Sequence, residues 1–511
     1  MTVMNEMTEL GAEVEALLRE WDSESAVAVV PDPSVADRCS RLPRTEIGLA
    51  ERWLAHWGAT WRYRPGRGWF QWDGTVWGAD DGHAISRTIA AVARSVWTLE
   101  VDCVAAGDPE ETAKTKDAHR RWGQACERDT VLEAALRHAA RFPQVRVPED
   151  HWDADPWTLN TLSGMVDLRT GEVHPHDPAA YCSRITACAY DPAATSADLD
   201  RVLAHLGTGS PEIPGFLRRW FGYSITGSTA CQSFTYLWGA AASGKSTLVS
   251  ASVAALGGSR VTSYAGTLDP GDIASSRSQD GPTPGVHRLA GRRLVAVPEA
   301  GRGYLDADLV KRLTGGEPIT TRTLYGQPVE WLPQLKLTLA GNQRVGIPDD
   351  DEGIARRLLP VRIDTAVAAR DRDPEVMRRL TSTVEGLEAV LAWLVAGAVE
   401  WHITGADREA LDVPAFVSEE LTEYRQSQDP LGEWWDEAVT EEPGQGMTTG
   451  DLHSAYVAWG KTHGVVRPLG LTAFGKRLDA RGYLAVRATR SIRGIRTSGR
   501  WRDGIQVTTT F

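Results

Sequence analysis

The chain has 511 residues, of which 42% are hydrophobic and 24% charged, and 20 of them are tryptophans. This composition excludes a disordered chain, and the length is typical of about three domains. The net charge of −13 argues against a protein that coats nucleic acid indiscriminately, although a sum of charges can hide a basic patch.

Membrane and metal signals are weak in this sequence. The first 21 residues are acidic and polar, which is not the pattern of a signal peptide. The most apolar run, 387–401, is too short to span a bilayer and contains Glu388 and Glu400. The six cysteines form no Cys-x-x-Cys pair and no zinc-ligand spacing. We therefore expect a reduced cytoplasmic protein without a membrane partner.

The N-terminal third is predicted to contain a helix, a linker and an α+β domain. Apolar residues at helical spacing from Leu10 to Trp21 predict an acidic amphipathic helix, and 22–45 is typical of a linker, so 1–45 stands apart. Residues 46–195 form the predicted α+β domain, whose tryptophans we interpret as core residues. Its expected elements are a hairpin turning at Asp73-Gly74, helices over 85–141 and strands over 158–173.

The central third alternates between strands and helices, which indicates a mostly parallel sheet. A helical connector is predicted for 196–228. The following α/β core, 229–365, contains apolar strands around Tyr236, at 292–301 and at 335–342, with a hairpin around Tyr325-Gly326. A helical segment is predicted for 366–429.

The strongest motif lies in YLWGAAASGKSTLVSASVAAL, Tyr236–Leu256. It fits Gly-x-x-x-x-Gly-Lys-Ser between an apolar strand and an amphipathic helix, which predicts a phosphate loop. Glycines let the backbone N–H groups approach a phosphate, the lysine reaches the β- and γ-phosphates, and the serine ligates Mg²⁺. The motif predicts ATP and Mg²⁺ as cofactors, bound by Gly239, Gly244, Lys245, Ser246 and Thr247.

Hydrolysis needs further groups, and the sequence offers them after the loop. Glu299 follows the apolar strand 294–297, and Asn342 ends the next strand. In parallel sheets the ligand binds outside the carboxyl ends of the strands, so both side chains are expected to lie near the nucleotide. Arg356 and Arg357 follow this strand. They are candidates for the arginine that stabilises the negative charge developing on the phosphate during hydrolysis. Each residue alone is typical of a solvated position, but their order favours catalytic roles.

Several segments resemble the superfamily-three helicases of phage, plasmid and poxvirus primase–helicase proteins. The similarity covers roughly 46–440, and 309–331 (LVKRLTGGEPITTRTLYGQPVEW) is its most specific block. The remaining segments that carry it are LKLTLAGN, IARRLLPVRI, DLRTGEVHPHDP, FLRRWFGYSITGS, EGLEAVLAWLVAGAVEW and FVSEELTEYRQSQDPLGEWW.

The resemblance implies an AAA+-like P-loop ATPase core that acts as a homo-hexameric ring on DNA. It implies that Ser246 and Glu299 hold the metal, Asn342 senses the γ-phosphate, and Arg356 or Arg357 enters the neighbouring subunit's site. It also implies a DNA-gripping pore hairpin over 314–327, with Arg322 and Tyr325 as contacts.

Three features depart from the family pattern. Pro298 precedes Glu299, so Asp306 or Asp308 is an alternative metal ligand. Ala355 replaces the usual aromatic residue. The two-metal carboxylate cluster that a primase needs has only loose candidates, in polar turns at 153–156 and 198–200. We expect a separate primase or polymerase partner.

The C-terminal segment is strongly basic. Between Lys461 and Phe511 only Asp479 and Asp503 oppose the eleven positive residues, which gives a net charge of +9. Two helices and two strands around an arginine-rich loop predict a winged-helix DNA-binding domain over 430–511. The DNA-binding candidates are Lys476, Arg477, Arg481, Arg493 and Arg496.

Three functions are compatible with these patterns. The first is an ATP-dependent DNA helicase for replication of a phage, plasmid or integrated element. The second is a P-loop kinase acting on a small molecule, which leaves the arginine pair and the basic tail unexplained. The third is a winged-helix DNA-binding regulator that ATP binding switches.

Overall fold

The computed structural model describes residues 33–104, 108–274, 284–300, 304–322, 329–347, 351–427, 431–463, 468–492 and 495–507. The acidic helix predicted for Leu10–Trp21, the hairpin residue Tyr325 and the basic residue Arg493 lie outside these ranges.

The N-terminal part packs helices against a small antiparallel sheet. A π-helical turn, Val96–Glu100, joins its third helix to its fourth. The predicted hairpin at Asp73 is confirmed, since this carboxylate accepts hydrogen bonds from two backbone N–H groups in the turn. The elements are α1 (Ala36–Ser40), α2 (Glu46–Trp57), β1 (Trp61–Arg64), β2 (Gly68–Trp72), β3 (Trp77–Ala79), α3 (His83–Ser95), α4 (Val101–Cys103), α5 (Pro109–Cys126) and α6 (Asp129–Ala139).

A second small sheet links this part to the central sheet. It has the order β4-β5-β6 and is antiparallel. Leu159 and Val166 from this sheet share one hydrophobic core with the two helices that follow it. The elements are β4 (Thr158–Thr161), β5 (Gly164–Asp167), β6 (Val173–His174), α7 (Ala197–Leu206) and α8 (Ile213–Ile225).

The central sheet has five parallel strands in the order β13-β7-β12-β9-β8. Between β9 and β12 an antiparallel pair, β10 and β11, confirms a hairpin at the predicted place. The strands are β7 (Phe234–Gly239), β8 (Ala265–Thr267), β9 (Leu294–Val297), β10 (Ile319–Thr321), β11 (Val329–Trp331), β12 (Lys336–Ala340) and β13 (Leu358–Ile363).

Both faces of this sheet are covered, because successive side chains of a strand point to opposite faces. In β9, Leu294 and Ala296 join one core, while Val295 and Val297 join the other. The helices are α9 (Lys245–Ala255), α10 (Pro284–His287), α11 (Ala307–Gly315), α12 (Glu352–Ala355), α13 (Glu375–Ser382), α14 (Val384–Ile403) and α15 (Ala415–Ser427).

Helix α14 is long and apolar enough to cross a membrane by length and composition. However, 56% of its most apolar window is buried, and it packs lengthwise against α8. Arg219 of α8 donates a hydrogen bond to Glu400 of α14 at 2.9 Å. Helix α14 is therefore a core helix of the central part.

The C-terminal part has its own hydrophobic core, which includes Trp434, Trp459 and Ile505. Its sheet has the order β14-β16-β15 and is antiparallel. The predicted arginine-rich loop is shorter than expected, because the strands extend through most of it. The elements are α16 (Gly432–Ala438), β14 (Val439–Thr448), α17 (Thr449–Thr462), α18 (Leu471–Ala480), β15 (Ala485–Ile492) and β16 (Ile495–Val507).

The crossing of α8 and α14 yields a stability prediction. A Cβ added at Gly222 would lie 2.1 Å from the carbonyl carbon of Gly397, so the two helix backbones are in direct contact. We expect Gly222→Ala to lower the free energy of unfolding by about 2–3 kcal/mol, because the helices must separate. Urea denaturation followed by circular dichroism measures this loss.

Gly215→Ala on the same helix is the matched control. Its added Cβ would lie 3.6 Å from the nearest atom, which belongs to the flexible Arg219 side chain. We expect a gain of about 0.5–1 kcal/mol, since alanine favours the helix. Equal stability of the two variants would contradict the close-contact interpretation.

Candidate functional site

The glycine loop (Gly239–Ser246) connects β7 to α9 at the carboxyl end of the sheet. Gly239 has a φ of 121°, and a Cβ there would lie 2.3 Å from the Ile363 carbonyl oxygen. Gly244 has a φ of 86° and directly precedes α9. Both positions therefore require glycine, for backbone conformation and, at Gly239, for space as well.

Lys245 lies inside the glycine loop. Its Nζ donates hydrogen bonds to the Ala240 carbonyl at 2.5 Å and the Ser243 hydroxyl at 2.8 Å. Burial lowers the pKa of Lys245, and Asp364 opposes this effect. The positive charge of Lys245 is therefore buried in the loop, and all of its direct hydrogen-bond partners are neutral oxygens. An anionic group is the stronger partner for such a cation.

Two hydroxyl side chains follow this lysine at the start of α9. Ser246 is exposed at the second position of the helix, and Thr247 is half-buried behind it. Thr247 also lines a cavity of about 510 Å³ beside the loop. The cavity is walled by Val202 and His205 of α7 and by the segment 366–368. It is large enough for the nucleoside part of a nucleotide.

Glu299 and Asn342 lie at the same sheet edge as the glycine loop. Strand β12 pairs in parallel with both β9 and β7, so the ends of all three strands are adjacent. Glu299 follows β9 with a φ of 54°, and both side chains are exposed. The structure thus brings the predicted acid and the predicted amide to the edge that carries Lys245.

A buried tyrosine fixes these strand ends against one another. The Tyr236 hydroxyl donates to the Ala300 carbonyl at 2.6 Å and also contacts the Gln343 carbonyl. Burial raises the pKa of Tyr236, so the hydroxyl stays a donor. A Cβ at Gly341 would lie 1.8 Å from the same Ala300 oxygen. The residues next to Glu299 and Asn342 are therefore closely packed.

The other carboxylates considered for metal binding have protein partners. Asp306 caps α11 by accepting from the Leu309 N–H at 3.0 Å, and Asp308 forms an ion pair with Lys311 at 2.9 Å. Asp198 lies in α7 rather than in the predicted turn, and it pairs with Arg379. Over the described residues, no group of three or more His, Cys, Asp or Glu side chains could hold a metal ion.

The arginine pair lies at the opposite end of the sheet. Leu358 of β13 pairs with Phe234, the first residue of β7, whereas Gly239 is its last. Arg356 is exposed at the end of α12. Arg357 is 8% exposed and donates to the Gly353 carbonyl at 3.1 Å, and burial lowers its pKa. The two arginines therefore have different environments, which the sequence did not show.

The predicted pore hairpin is described only at its base. Thr321 of β10 accepts a hydrogen bond from the Trp331 indole of β11 at 3.0 Å and contacts the His287 ring at 3.1 Å. Arg322 is exposed beyond this base, and Tyr325 lies outside the described residues. The base of the hairpin is thus anchored to α10.

The basic residues of the C-terminal part are in several environments. Lys476 is exposed on α18, and Arg477 is half-buried. Arg481 lies over the Trp435 ring at 4.4 Å. The Arg496 backbone pairs with Ser491 in the β15–β16 hairpin, and Arg493 lies outside the described residues.

Two further arginines of this basic segment are engaged within the fold. Arg502 is 2% exposed and bonds to Asp479 and to the Gly475 carbonyl. Arg490 pairs with Asp503. The net charge of the segment therefore overstates its accessible positive charge.

Residues 50–206 match a protein-family model described as "D5 N terminal like". This match supports the resemblance to primase–helicase proteins for less than a third of the chain. No curated protein matches the sequence.

Some solved structures are similar to the chain at low identity. An A-form apo structure of the NrS-1 C-terminal region is 11% identical with a TM-score of 0.35, covering 62% of this chain and 76% of that one. A second is 13% identical with a TM-score of 0.34 and the same coverage. A further apo structure of that region is 12% identical with a TM-score of 0.34, covering 61% and 76%. TM-scores this low do not bear on the function.

The cavity wall beside the glycine loop was not predicted from the sequence. Val202 and His205 line it together with Arg372, which is 167 residues or more away along the chain. Only the packing of α7 against the glycine loop brings them together. The helical spacing of Val202 and His205 on α7 was the one available signal.

The different environments of Arg356 and Arg357 yield a prediction. Arg357→Ala should lower the free energy of unfolding by about 1–3 kcal/mol, because it removes a buried side chain and its bond to a carbonyl. Arg356→Ala, the matched control, should change stability by no more than about 0.5 kcal/mol. Thermal unfolding of both variants measures the difference. A larger loss for Arg356→Ala would contradict the assignment.

Proposed function

We propose that this chain is an ATP-dependent DNA helicase of the phage-type primase–helicase kind, acting as a ring. One observation carries the proposal: the glycine loop, Glu299 and Asn342 share one sheet edge, whereas Arg356 lies at the opposite edge. The family match over 50–206 supports the replication context.

In this proposal, each polar residue at the carboxyl end of the sheet has a separate role in phosphoryl transfer. Lys245 leaves its neutral oxygen partners for the β- and γ-phosphates, and the loop N–H groups and the start of α9 hold the remaining charge. Asn342 orients the attacking water. Ser246 and Glu299 offer the oxygen ligands that Mg²⁺ prefers. When bound, this ion neutralises charge that develops on the phosphates.

The position of Arg356 supports a shared site. Strand β7 has six residues, so its two ends are separated by roughly 16 Å. This length exceeds the reach of an arginine side chain along the sheet of its own chain. Arg356 can therefore stabilise the phosphate charge only in the site of a neighbouring copy. Repetition of such a head-to-tail contact generates a ring when it closes.

Two parts of the chain are proposed to bind DNA. The base of the hairpin, formed by β10 and β11, follows α11 at the amino end of the sheet, and we propose that Arg322 next to this base contacts a DNA strand in a central pore. The C-terminal part has the order helix, strand, helix, helix, strand, strand. This order supports a winged helix in which α18 presents Lys476 and Arg477 to duplex DNA.

Loss of the loop lysine tests the nucleotide site. Lys245→Ala should reduce ATP hydrolysis at least about 100-fold, because the donor to the developing phosphate charge is lost. Lys114→Ala is the matched control, since Lys114 is an exposed lysine on α5 paired with Glu110. A phosphate-release assay measures both variants. Wild-type turnover by folded Lys245→Ala protein would contradict the assignment.

Subunit mixing tests whether the site is shared. Arg356→Ala alone should reduce turnover about 10³-fold. Mixing it with Lys245→Ala protein should restore part of the activity. In a mixed ring, the Lys245→Ala copy supplies an intact Arg356, and the neighbouring Arg356→Ala copy supplies an intact glycine loop. Absence of rescue at every mixing ratio would contradict a shared site.

Truncation tests the C-terminal part. Because β14 pairs with β16, a cut at residue 461 would leave β14 unpaired, so the chain should end at residue 430. The truncated chain should keep basal ATPase activity but bind duplex DNA more weakly. The slope of log K against log salt should also become less steep by about 0.9 for each phosphate that the truncated chain no longer neutralises. Fluorescence anisotropy across a salt series measures this slope.

Point variants refine the same prediction. Lys476→Ala and Arg477→Ala should each weaken DNA binding, whereas Arg121→Ala on α5 should not. Unchanged affinity and salt slope after truncation would contradict DNA binding by this part.

A further inference from the structure

Four arginines lie close together at the amino ends of β8 and β9, and we call them the arginine cluster: Arg184, Arg260, Arg288 and Arg292. Arg292 donates to the Arg260 carbonyl at 3.0 Å, and Arg184 donates to the Ala290 carbonyl at 2.7 Å. Arg288 and Arg292 line the same groove. Arg184 and Arg292 are half-buried, whereas Arg260 and Arg288 are exposed. The cluster therefore combines two fixed, half-buried charges with two exposed ones.

Carboxylates of the described residues do not neutralise the arginine cluster. None of its members forms an ion pair with them, and Arg184 and Arg292 donate to backbone carbonyls instead. Burial and the nearby Arg184 lower the pKa of Arg292 to about 10. Burial also lowers the pKa of Arg184; Asp153 opposes this effect, but its carboxylate already accepts two hydrogen bonds from Ser183. Because like charges repel one another, binding of an external anion would stabilise the cluster.

The arginine cluster is next to the base of the β10–β11 hairpin. His287, the last residue of α10, directly precedes Arg288, and its ring contacts the Thr321 hydroxyl of β10 at 3.1 Å. Arg322, the proposed DNA contact of the hairpin, directly follows Thr321. Arg288 and Arg322 are thus each one residue away from this side-chain contact. The cluster and the hairpin base therefore belong to one region of the surface.

The N-terminal part adds a further positive charge to this region. Burial lowers the pKa of His287, and Arg67, in the turn between β1 and β2, lowers it further. Arg67 acts on the pKa of Arg184 in the same direction. Its carboxylate partner, Glu149 at 3.3 Å, is shared with Arg64. Positive charge therefore continues from the N-terminal part to the amino end of the central sheet.

The arginine cluster is separate from the proposed nucleotide site. A groove of about 450 Å³ along α9 has Arg288 and Arg292 at one end and Ser246 and Pro298 at the other. The four residues of β9, which lie between these ends, span about 13 Å. A nucleotide in the glycine loop therefore leaves the arginines available to a different anion. Val261, which is 75% exposed beside the cluster, offers an apolar surface to a sugar or a base.

We propose that the arginine cluster binds the phosphates of single-stranded DNA beside the hairpin, with Arg260 and Arg288 as the contacts at the surface. Guanidinium groups bind phosphate oxygens bidentately. Proteins that hold single strands without sequence preference use positively charged surfaces that follow the backbone. The inference deepens the DNA-binding part of the proposed function, on which it rests. It assigns strand binding to the central sheet as well as to the hairpin and the C-terminal part.

Charge reversal of the two exposed arginines tests this surface in the full chain. Arg260→Glu with Arg288→Glu should weaken the binding of a single-stranded oligothymidylate at least about tenfold, measured by fluorescence anisotropy. The slope of log K against log salt should become less steep by about 0.7 for each phosphate contact that is lost. Arg260→Lys with Arg288→Lys keeps both charges, so its salt slope should stay that of wild type.

A matched control separates this surface from net charge. Arg120→Glu with Arg141→Glu adds the same acidic charge, and both arginines are exposed in the N-terminal part. This control should bind the oligothymidylate within about threefold of wild type, because salt screens charges that are distant from the strand. Thermal unfolding checks that each variant is folded. If the glutamate pair does not fold, Arg260→Ala with Arg288→Ala removes the same two charges.

Several outcomes overturn this surface. Unchanged affinity and salt slope in the folded charge-reversal variant do so, as does an equal loss in the matched control. An equal loss of duplex binding, which we assign to the C-terminal part, also overturns it. The anisotropy measurement does not depend on hydrolysis. Wild type that binds single strands through the cluster without hydrolysing ATP therefore contradicts the proposed function and leaves the surface standing.

Discussion

The parallel pairing of β7 between β12 and β13 is the constraint on which the arrangement of polar groups depends. The register aligns Leu237 with Ala340 and Gly239 with Ile363. All five strands therefore end at the same end of the sheet, where β7 continues into the glycine loop, β9 into Glu299 and β12 into Asn342. Every strand begins at the other edge, where Arg356 is exposed. Separation of the loop from the arginine is a consequence of strand direction, so no rearrangement of exposed side chains removes it.

Two buried cations secure the amino ends of these strands. Arg293, just before β9, donates to the Thr158 and Ile225 carbonyls at 2.9 and 3.1 Å. Lys336, the first residue of β12, contacts the Thr226 and Ser228 carbonyls, and burial lowers its pKa well below the usual range. Neither forms an ion pair with a described residue. Apart from the Gln334 carbonyl, to which Lys336 donates at 2.9 Å, their partners are backbone carbonyls of the β4 segment, of the last residue of α8 and of the turn after it, so the two cations bind these preceding segments to the sheet.

Local patterns in the sequence predicted the strands, the glycine loop and the residues at the strand ends. These features depend on apolar runs and on conformations that only glycine adopts readily, which are visible in a few consecutive residues. The exposure of Arg356 and the burial of Arg357 were not predictable, because adjacent arginines differ only in what the rest of the chain places over them. The burial of Arg502 against Asp479, and the pairing of β14 with β16, likewise depend on contacts distant in sequence.

Helix α11 connects the end of the sheet that carries the glycine loop to the hairpin. Helix α11 begins at Ala307, shortly after Glu299, and ends at Gly315 near the amino edge, where its last carbonyl accepts from Gln232. Nine helical residues span about 13 Å. The helix is rigid along this length, because its buried residues Val310 and Leu313 pack in the core. Helix α11 therefore extends from the end of the sheet that carries Glu299 towards the hairpin base at Thr321, so a single rigid element lies between the proposed nucleotide site and the proposed DNA contact.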